Sequence, residues 1–159
     1  MDKAIFIYSE LLLRSDLTRA EKRLAFFNLG VIHHRKGEQS KGLEYWEEAV
    51  SLPFDSTDAF VNEEELELAA SASMNLGAHH VLAKDIEKGL SYLREAVRLN
   101  SEDGEIRYNL AATLAGVGKF DEAVKEFEEA EKRGIEMAKD VKEKLKKGME
   151  ANEKSELKR

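Results

Sequence analysis

The pattern of apolar positions along this chain contains a short motif that occurs three times. Its copies are NLGVIHH, NLGAHH and NLAATL, and they begin at Asn28, Asn75 and Asn109. Leu76 and Leu110, in the second and third copies, are 34 residues apart. Leu29 and Leu76 are 47 residues apart, which is the same distance plus an insertion of 13. This spacing predicts three copies of one structural unit.

Other small and large residues keep the same spacing. One set is Gly42, Gly89 and Ala123, a second is Trp46, Leu93 and Phe127, and a third is Ala49, Ala96 and Ala130. Ala4, Tyr8 and Leu11 are spaced in the same way, which indicates a further half unit at the N terminus. The chain contains one proline and many strong helix formers, so the units are predicted to be helical and the fold all-α.

Small residues at fixed positions predict a close approach of two helices within each unit. Gly inside a helix costs up to about 1 kcal/mol relative to Ala, so Gly42 and Gly89 indicate crowding. The facing pairs are expected to be Gly30 with Gly42, Gly77 with Gly89, and Ala111 with Ala123. A Thr-x-x-Glu capping box at Thr18 and Glu21 is predicted to open the first repeat helix. Gly37 and Gly118 are expected to end first helices in turns.

This pattern resembles the tetratricopeptide repeat, in which each unit is a helix, a tight turn and a second helix. The best matching unit is residues 104–137, and the others are residues 23–56 and 70–103. The resemblance implies a right-handed α-α superhelix forming a single domain over residues 1–147. Its flanking elements would be an N-terminal helix over residues 2–15 and a capping helix over about 137–147, with Val141 and Leu145 as its apolar stripe. Residues 148–159 are predicted to be a polar, frayed tail.

The resemblance also implies a concave groove lined by the first helices, and a non-enzymatic adaptor that holds a peptide or protein segment there. The implied groove positions are Leu24, Phe27, Asn28, Val31, His34, Ser71, Met74, Asn75, Ala78, Glu105, Tyr108, Asn109 and Ala112. The three asparagines are expected to form a ladder that bonds a partner's backbone, since an amide both donates and accepts. The alternative is that they form local hydrogen bonds. Phe27, Met74 and Tyr108 are expected in a row beside them.

One branch of the same family binds a C-terminal carboxylate with Lys, Asn and Arg at set concave positions. In this chain those positions hold Phe27 and Val31 in the first unit, and Glu105 and Asn109 in the last. Only Asn75 matches. Carboxylate clamping is therefore disfavoured.

The insertion of 13 residues, from Thr57 to Ala69, contains neither Gly nor Pro. It predicts a longer first helix in the middle unit, from roughly Asp58 to Ala83. The alternative is an acidic ledge that attracts a basic segment and is formed by Glu63, Glu64, Glu65 and Glu67.

The histidines offer the main candidate for metal chemistry. His33 and His80 occupy the same repeat position and are expected to be packed spacers, with His34 and His79 at the surface. A zinc site would need histidines of both units and a carboxylate, so no metal is predicted. The sequence has no nucleophile motif and no Gly-rich phosphate loop, so neither an enzyme nor a cofactor is expected.

The composition and charge of the chain limit the classes of partner that are expected. The chain lacks cysteine, which suits a reducing cytoplasm. Its formal charge is −7, and because residues 139–159 are net basic the remaining body is more acidic still, which disfavours nucleic-acid binding. The run AIFIYSELLL is too short and too polar for a membrane span. Protein or peptide partners remain, with homo-oligomerisation through the convex face or the ends as the alternative function.

Overall fold

The computed structural model describes residues 1–54 and 62–156, and these ranges contain eight α-helices and no strand. The helices are α1 Asp2–Leu12, α2 Arg19–Arg35, α3 Gln39–Ser51, α4 Glu63–Leu82, α5 Ile86–Leu99, α6 Gly104–Gly116, α7 Phe120–Lys132 and α8 Lys139–Glu156. The most extensive packing joins α2 to α3, α4 to α5 and α6 to α7. The first helices α2, α4 and α6 also contact one another in order, so the three hairpins stack as a solenoid. The predicted all-α repeat fold is confirmed.

Backbone geometry at the tight turns confirms the repeat spacing. Gly37 and Gly118 have positive φ values of 79° and 80°, and Lys84 has a φ of 65°. Lys84 follows Gly37 by 47 residues and precedes Gly118 by 34. Each turn is closed in the same way. The residue that follows the positive-φ position donates its backbone amide to the carbonyl oxygen five residues earlier, and the acceptors are His33, His80 and Leu114. The three turns are therefore copies of one structure, two built on glycine and one on lysine.

Local capping agrees with the sequence. Both bonds of the predicted capping box are present, with the Thr18 side chain accepting from the Glu21 amide and Glu21 accepting from the Thr18 amide. Asp103 caps α6 by accepting from the amides of Glu105 and Ile106. These side chains satisfy amides that lack a partner in the first helical turn.

The glycine positions are contact points between helix backbones. A methyl group added at Gly42 would lie 3.1 Å from the carbonyl oxygen of Gly30. One added at Gly89 would lie 3.0 Å from the carbonyl oxygen of Gly77 and 2.6 Å from Cγ2 of Val81. In the third hairpin Ala111 and Ala123 are fully buried. The close approach that the small residues predict is thus confirmed.

The predicted long first helix of the middle unit has its start, Asp58, outside the described residues. Residues 55–61 lie outside the described ranges, and the described helix α4 begins at Glu63. Asn62 stands before it in an extended conformation, and its side chain accepts a hydrogen bond from the Glu64 amide. An N-cap of this kind starts a helix and requires non-helical backbone, so α4 begins directly after Asn62.

The terminal helices differ in length from the predictions. Helix α1 ends at Leu12 rather than at residue 15, because the chain turns at residues 13–16, where Arg14 pairs with Asp16. Helix α8 begins at Lys139 and continues to Glu156, where a frayed tail was expected. Met149 extends the apolar stripe of Val141 and Leu145 by another turn. All three pack against the core of the third hairpin, so α8 covers it as predicted.

The backbone contact between α4 and α5 can be tested at Gly89. Gly89→Ala should lower the free energy of unfolding by about 1–3 kcal/mol, because the added methyl group must displace Val81 or separate the helices. Chemical denaturation followed by circular dichroism measures this change.

Gly116→Ala is the matched control, because a methyl group there meets nothing within 4 Å. It should leave stability unchanged or raise it by up to about 1 kcal/mol. Equal losses in the two variants would contradict the packing described.

Candidate binding groove

Two adjoining clefts lie along the first helices. One, of about 730 Å³, is bounded by the C-terminal halves of α2 and α4 and by Trp46 of α3. The other, of about 520 Å³, lies between the C-terminal halves of α4 and α6, and Ile86 of α5 forms part of its wall. Ala78 and Leu82 line both clefts. The two clefts therefore form a continuous surface that crosses all three repeats.

The structure brings six of the predicted groove residues to these clefts. Val31, His34, Asn75 and Ala78 line the first cleft, and Ala78, Asn109 and Ala112 line the second. Glu105 and Tyr108 lie with Asn109 and Ile135 around a smaller depression of about 290 Å³. Leu24 lines another small cleft, beside Glu64 and Glu65. Phe27, Asn28, Ser71 and Met74 are half-buried and belong to neither of the two main clefts.

The three asparagines do different things. The amide of Asn28 donates to the carbonyl oxygen of Leu24, one turn earlier in the same helix, at 2.9 Å. The amide of Asn109 donates to the sulfur of Met74 at 3.3 Å and so links α6 to α4. Asn75 has no side-chain hydrogen bond within the described residues, and it lines the first cleft. Its amide is therefore the one of the three that makes no hydrogen bond within the described protein.

The predicted row of Phe27, Met74 and Tyr108 is largely used for packing. Phe27 contacts the core between the first and second hairpins, formed by residues of α3 and α4. Met74 contacts the cores of both later units. The Tyr108 ring meets the Phe127 ring edge-on, with 5.3 Å between centroids. All three side chains are half-buried, so each offers only part of its surface to a ligand.

Leu82 is the groove residue that the sequence analysis missed. Its side chain is 83% exposed although it is a large apolar residue, and it stands where the two clefts meet. At the same repeat position the first unit has Arg35 and the third has Gly116. The sequence contained a signal for this groove residue, because an apolar side chain stands where the other units have a charged or a small residue. Val117, 39% exposed, lines the second cleft opposite it.

His33 and His80 act as spacers between helices, as predicted. The His33 ring stacks on Tyr45 at 5.3 Å, and its Nδ1 lies 2.6 Å from a Glu38 carboxylate oxygen, which lowers the pKa of Glu38. The His80 ring stacks on Tyr92 at 5.6 Å. Burial, and secondly the charge of Lys88, lower the pKa of His80.

His34 and His79 both line the first cleft, where His34 is exposed and His79 half-buried. Within residues 1–54 and 62–156, no three His, Asp or Glu side chains are grouped so that they could hold a metal ion.

The acidic segment of the insertion divides into two parts. Glu63, Glu64 and Glu67 are exposed. Glu65 is 3% exposed, and its carboxylate accepts from Nε of Arg19 at 2.7 Å and from Nε of Arg23 at 3.2 Å. Glu65 therefore cannot belong to a surface ledge, because its charge is already neutralised inside the protein.

Arg23 is the centre of this buried cluster and is itself fully buried. Its guanidinium donates to the carbonyl oxygens of Ala49 and Leu52 at the end of α3, and it lies over the Phe54 ring. Burial opposes ionisation of Glu65, but the hydrogen bonds and charges of the two arginines outweigh it, so the Glu65 pKa is lowered. One ionic cluster thus joins α2, the end of α3 and the start of α4.

Comparison with known proteins agrees with this architecture. Residues 104–133 match the sequence model of the tetratricopeptide repeat. The C-terminal TPR-containing domain of a Plasmodium falciparum FK506-binding protein shares the fold with a TM-score of 0.66 and 17% identity, over 89% of this chain and 97% of that one. YrrB, a TPR protein with an unusual peptide-binding site, has a TM-score of 0.55 and 22% identity, over 83% of this chain and 59% of YrrB. The chain thus spans less than two thirds of YrrB. No curated protein matches the chain.

None of the helices in the described part of the chain combines the length and the apolar character that a membrane span requires.

The buried cluster predicts both a mutational and a pH effect. Glu65→Gln should lower the free energy of unfolding by about 3 kcal/mol at pH 7, because it leaves the Arg23 charge buried without its counter-charge. The Glu65 pKa is lower in the folded than in the unfolded chain, so its stabilisation is complete above the unfolded value of about 4.3 and is lost as pH falls. The difference between wild type and variant should therefore shrink in acid.

Denaturant titrations from pH 7 to pH 3 measure this difference. Glu64→Gln is the control, since Glu64 is the exposed neighbour and its replacement should change stability little. A deficit of the Glu65→Gln variant that stays constant over this pH range would contradict the assignment.

Proposed function

Because the chain is a tetratricopeptide repeat protein, we propose that it is a non-enzymatic adaptor that binds a peptide or protein segment in the groove of α2, α4 and α6. Stacked helical repeats present extended concave surfaces, and the family uses them to bind proteins and peptides. YrrB, which shares the fold, is described as having a peptide-binding site.

The observation that carries the proposal is the pair of adjoining clefts. Their volumes, about 730 and 520 Å³, are in the range of ligand-binding clefts in general. They are open on one side and are shared by three repeats, which suits an elongated ligand better than a small molecule. Leu82 projects from the boundary between them, where it can contact a ligand in either cleft.

The two clefts differ in chemistry. The first is the more polar of the two, with His34, Arg35, His79 and Asn75 in its wall. The second is mainly apolar, with Leu82, Ala112 and Val117 as its accessible surface. A peptide segment can match both clefts. It would place an apolar side chain in the second cleft and run its backbone along Asn75 in the first, where the amide can bond it. Such an anchor contributes most of the affinity in most interfaces.

The proposal keeps the predicted groove positions and adds Leu82 and Val117. It includes a protein or peptide as the partner, no cofactor and no catalytic or metal-binding residue. It excludes nucleic acid, because the net charge of −7 opposes a phosphate backbone. It excludes a membrane surface as the partner and places the protein in the cytoplasm, which suits a chain without cysteine.

A display library of random peptides, selected against the wild-type protein alone, would supply ligands without presupposing where they bind. Leu82→Glu and Ala112→Glu should each weaken binding of the selected peptides at least about tenfold, because a carboxylate must then be desolvated in an apolar cleft. Asn75→Ala should weaken it about two- to tenfold, the effect of one net hydrogen bond. Isothermal titration calorimetry gives the affinities.

Lys125→Glu is the matched control, since it adds negative charge to an exposed position of α7, outside both main clefts. It should leave binding unchanged. Selected peptides that lose affinity in the Lys125→Glu variant, and retain it in both cleft variants, would contradict a groove at α2, α4 and α6.

A further inference from the structure

Helix α1 has an apolar face that the rest of the described chain leaves uncovered. Phe6, Ile7 and the capping residue Leu13 are 65%, 52% and 78% exposed. The opposite side of α1, which includes Ala4, Tyr8 and Leu11, is half-buried and packs against α2. An ion pair of 2.9 Å between Asp2 and Lys36 further fixes α1 to the end of α2. The orientation of the exposed face is therefore set by the fold.

Comparison with the other repeats shows that the exposed apolar residues Phe6 and Leu13 are specific to α1. At the repeat position of Phe6 the second helices of the three units have Glu44, Ser91 and Lys125. At the position of Leu13 they have Ser51, Arg98 and Lys132. All six of these residues are exposed to solvent. Apolar residues have thus replaced polar ones at outward positions of a helix that otherwise follows the repeat.

The same face carries two unpaired, opposite charges. With 100° per residue, Lys3 and Glu10 lie along its centre, and Phe6 and Ile7 lie on either side between them. Lys3 and Glu10 are exposed, and neither forms an ion pair within the described residues. They are seven residues apart, about 10 Å along the helix, so they cannot pair with each other.

We propose that this face binds a second copy of the chain, with the two α1 helices packed antiparallel about a twofold axis that passes between Phe6 and Ile7. In that arrangement Lys3 of each copy lies opposite Glu10 of the other, so two ion pairs form. Phe6 and Ile7 of the two copies meet between the pairs and are buried. A parallel arrangement would instead place Lys3 against Lys3 and Glu10 against Glu10.

The occupant is identified by this self-complementarity. A twofold interface requires one patch whose apolar centre and charges match their own inverted copy, and the arrangement of Lys3, Phe6, Ile7 and Glu10 does so. The helix has 11 residues and is about 16 Å long, so the contact is at the small end of specific interfaces. The dimer should therefore be reversible and depend on concentration.

Sedimentation equilibrium over a range of concentrations tests the apolar part. The wild type should be a monomer–dimer mixture, and Phe6→Ser should raise the dimer dissociation constant at least about tenfold, because two buried phenyl rings are lost. Lys125→Ser changes an exposed side chain at the same repeat position in α7 and should leave the constant unchanged. Circular dichroism should show the same helix content in all three, since both residues are exposed.

Charge reversal tests the antiparallel geometry. Lys3→Glu makes both charges of the face negative and Glu10→Lys makes both positive, so each variant alone should dimerise about tenfold more weakly at low ionic strength. An equimolar mixture of the two should form a heterodimer as strong as the wild type, because every cross-contact is then attractive. The double variant Lys3→Glu/Glu10→Lys should recover the homodimer.

A wild type that stays monomeric at its highest soluble concentration would overturn the proposal. So would a Phe6→Ser variant that dimerises normally, or a charge mixture that forms no heterodimer. These outcomes do not depend on the proposed peptide groove. The groove variants are tested by their affinity for peptides, whereas the α1 variants are tested by the molecular mass of the protein in sedimentation equilibrium. Failure of one proposal would leave the other standing.

Discussion

The structure depends on helices that touch backbone to backbone. Where Gly30 meets Gly42, and Gly77 meets Gly89, no side chain separates the helices, and in the third hairpin the small buried residues Ala111 and Ala123 take these positions. The large residues one turn away, Trp46 and Leu93, are then forced into the remaining space and become the buried core. Because each hairpin has the same closed form, the next one stacks on it in the same way. The groove is the result of that stacking and needs no elements of its own.

The parts of the fold that the sequence predicts are those governed by a repeated local constraint. Helix crossings and left-handed turns each require a particular residue type at a fixed spacing, and the capping box follows a short motif of its own, so all three can be found in one sequence. The start of α4 and the end of α8 do not follow a repeat. The first depends on one capping side chain, Asn62, and the second on the contact of Gly148 and Met149 with the last hairpin.

The groove was predictable in position more than in detail. Family resemblance indicates which residues lie on the first helices, but it does not show how each side chain is used. Asn28 bonds its own helix, whereas Asn75 remains free, although both stand at the same repeat position. Met74 and Tyr108 are drawn inward by the core, and Leu82 stays outside because nothing in the described chain covers it. Such differences are decided by neighbours distant in sequence.

The Arg23 cluster has a consequence for how the repeats are joined. Arg23 bonds both the end of α3, at Leu52, and the start of α4, at Glu65, so the two ends of the connection between them are fixed to the same side chain. The placement of the second hairpin is therefore fixed by contacts of Arg23 at both ends of this connection. A connection held in this way tolerates a change in its length, because the entropic cost of a longer connection grows slowly. The interruption of the 34-residue period thus leaves the stack of repeats continuous.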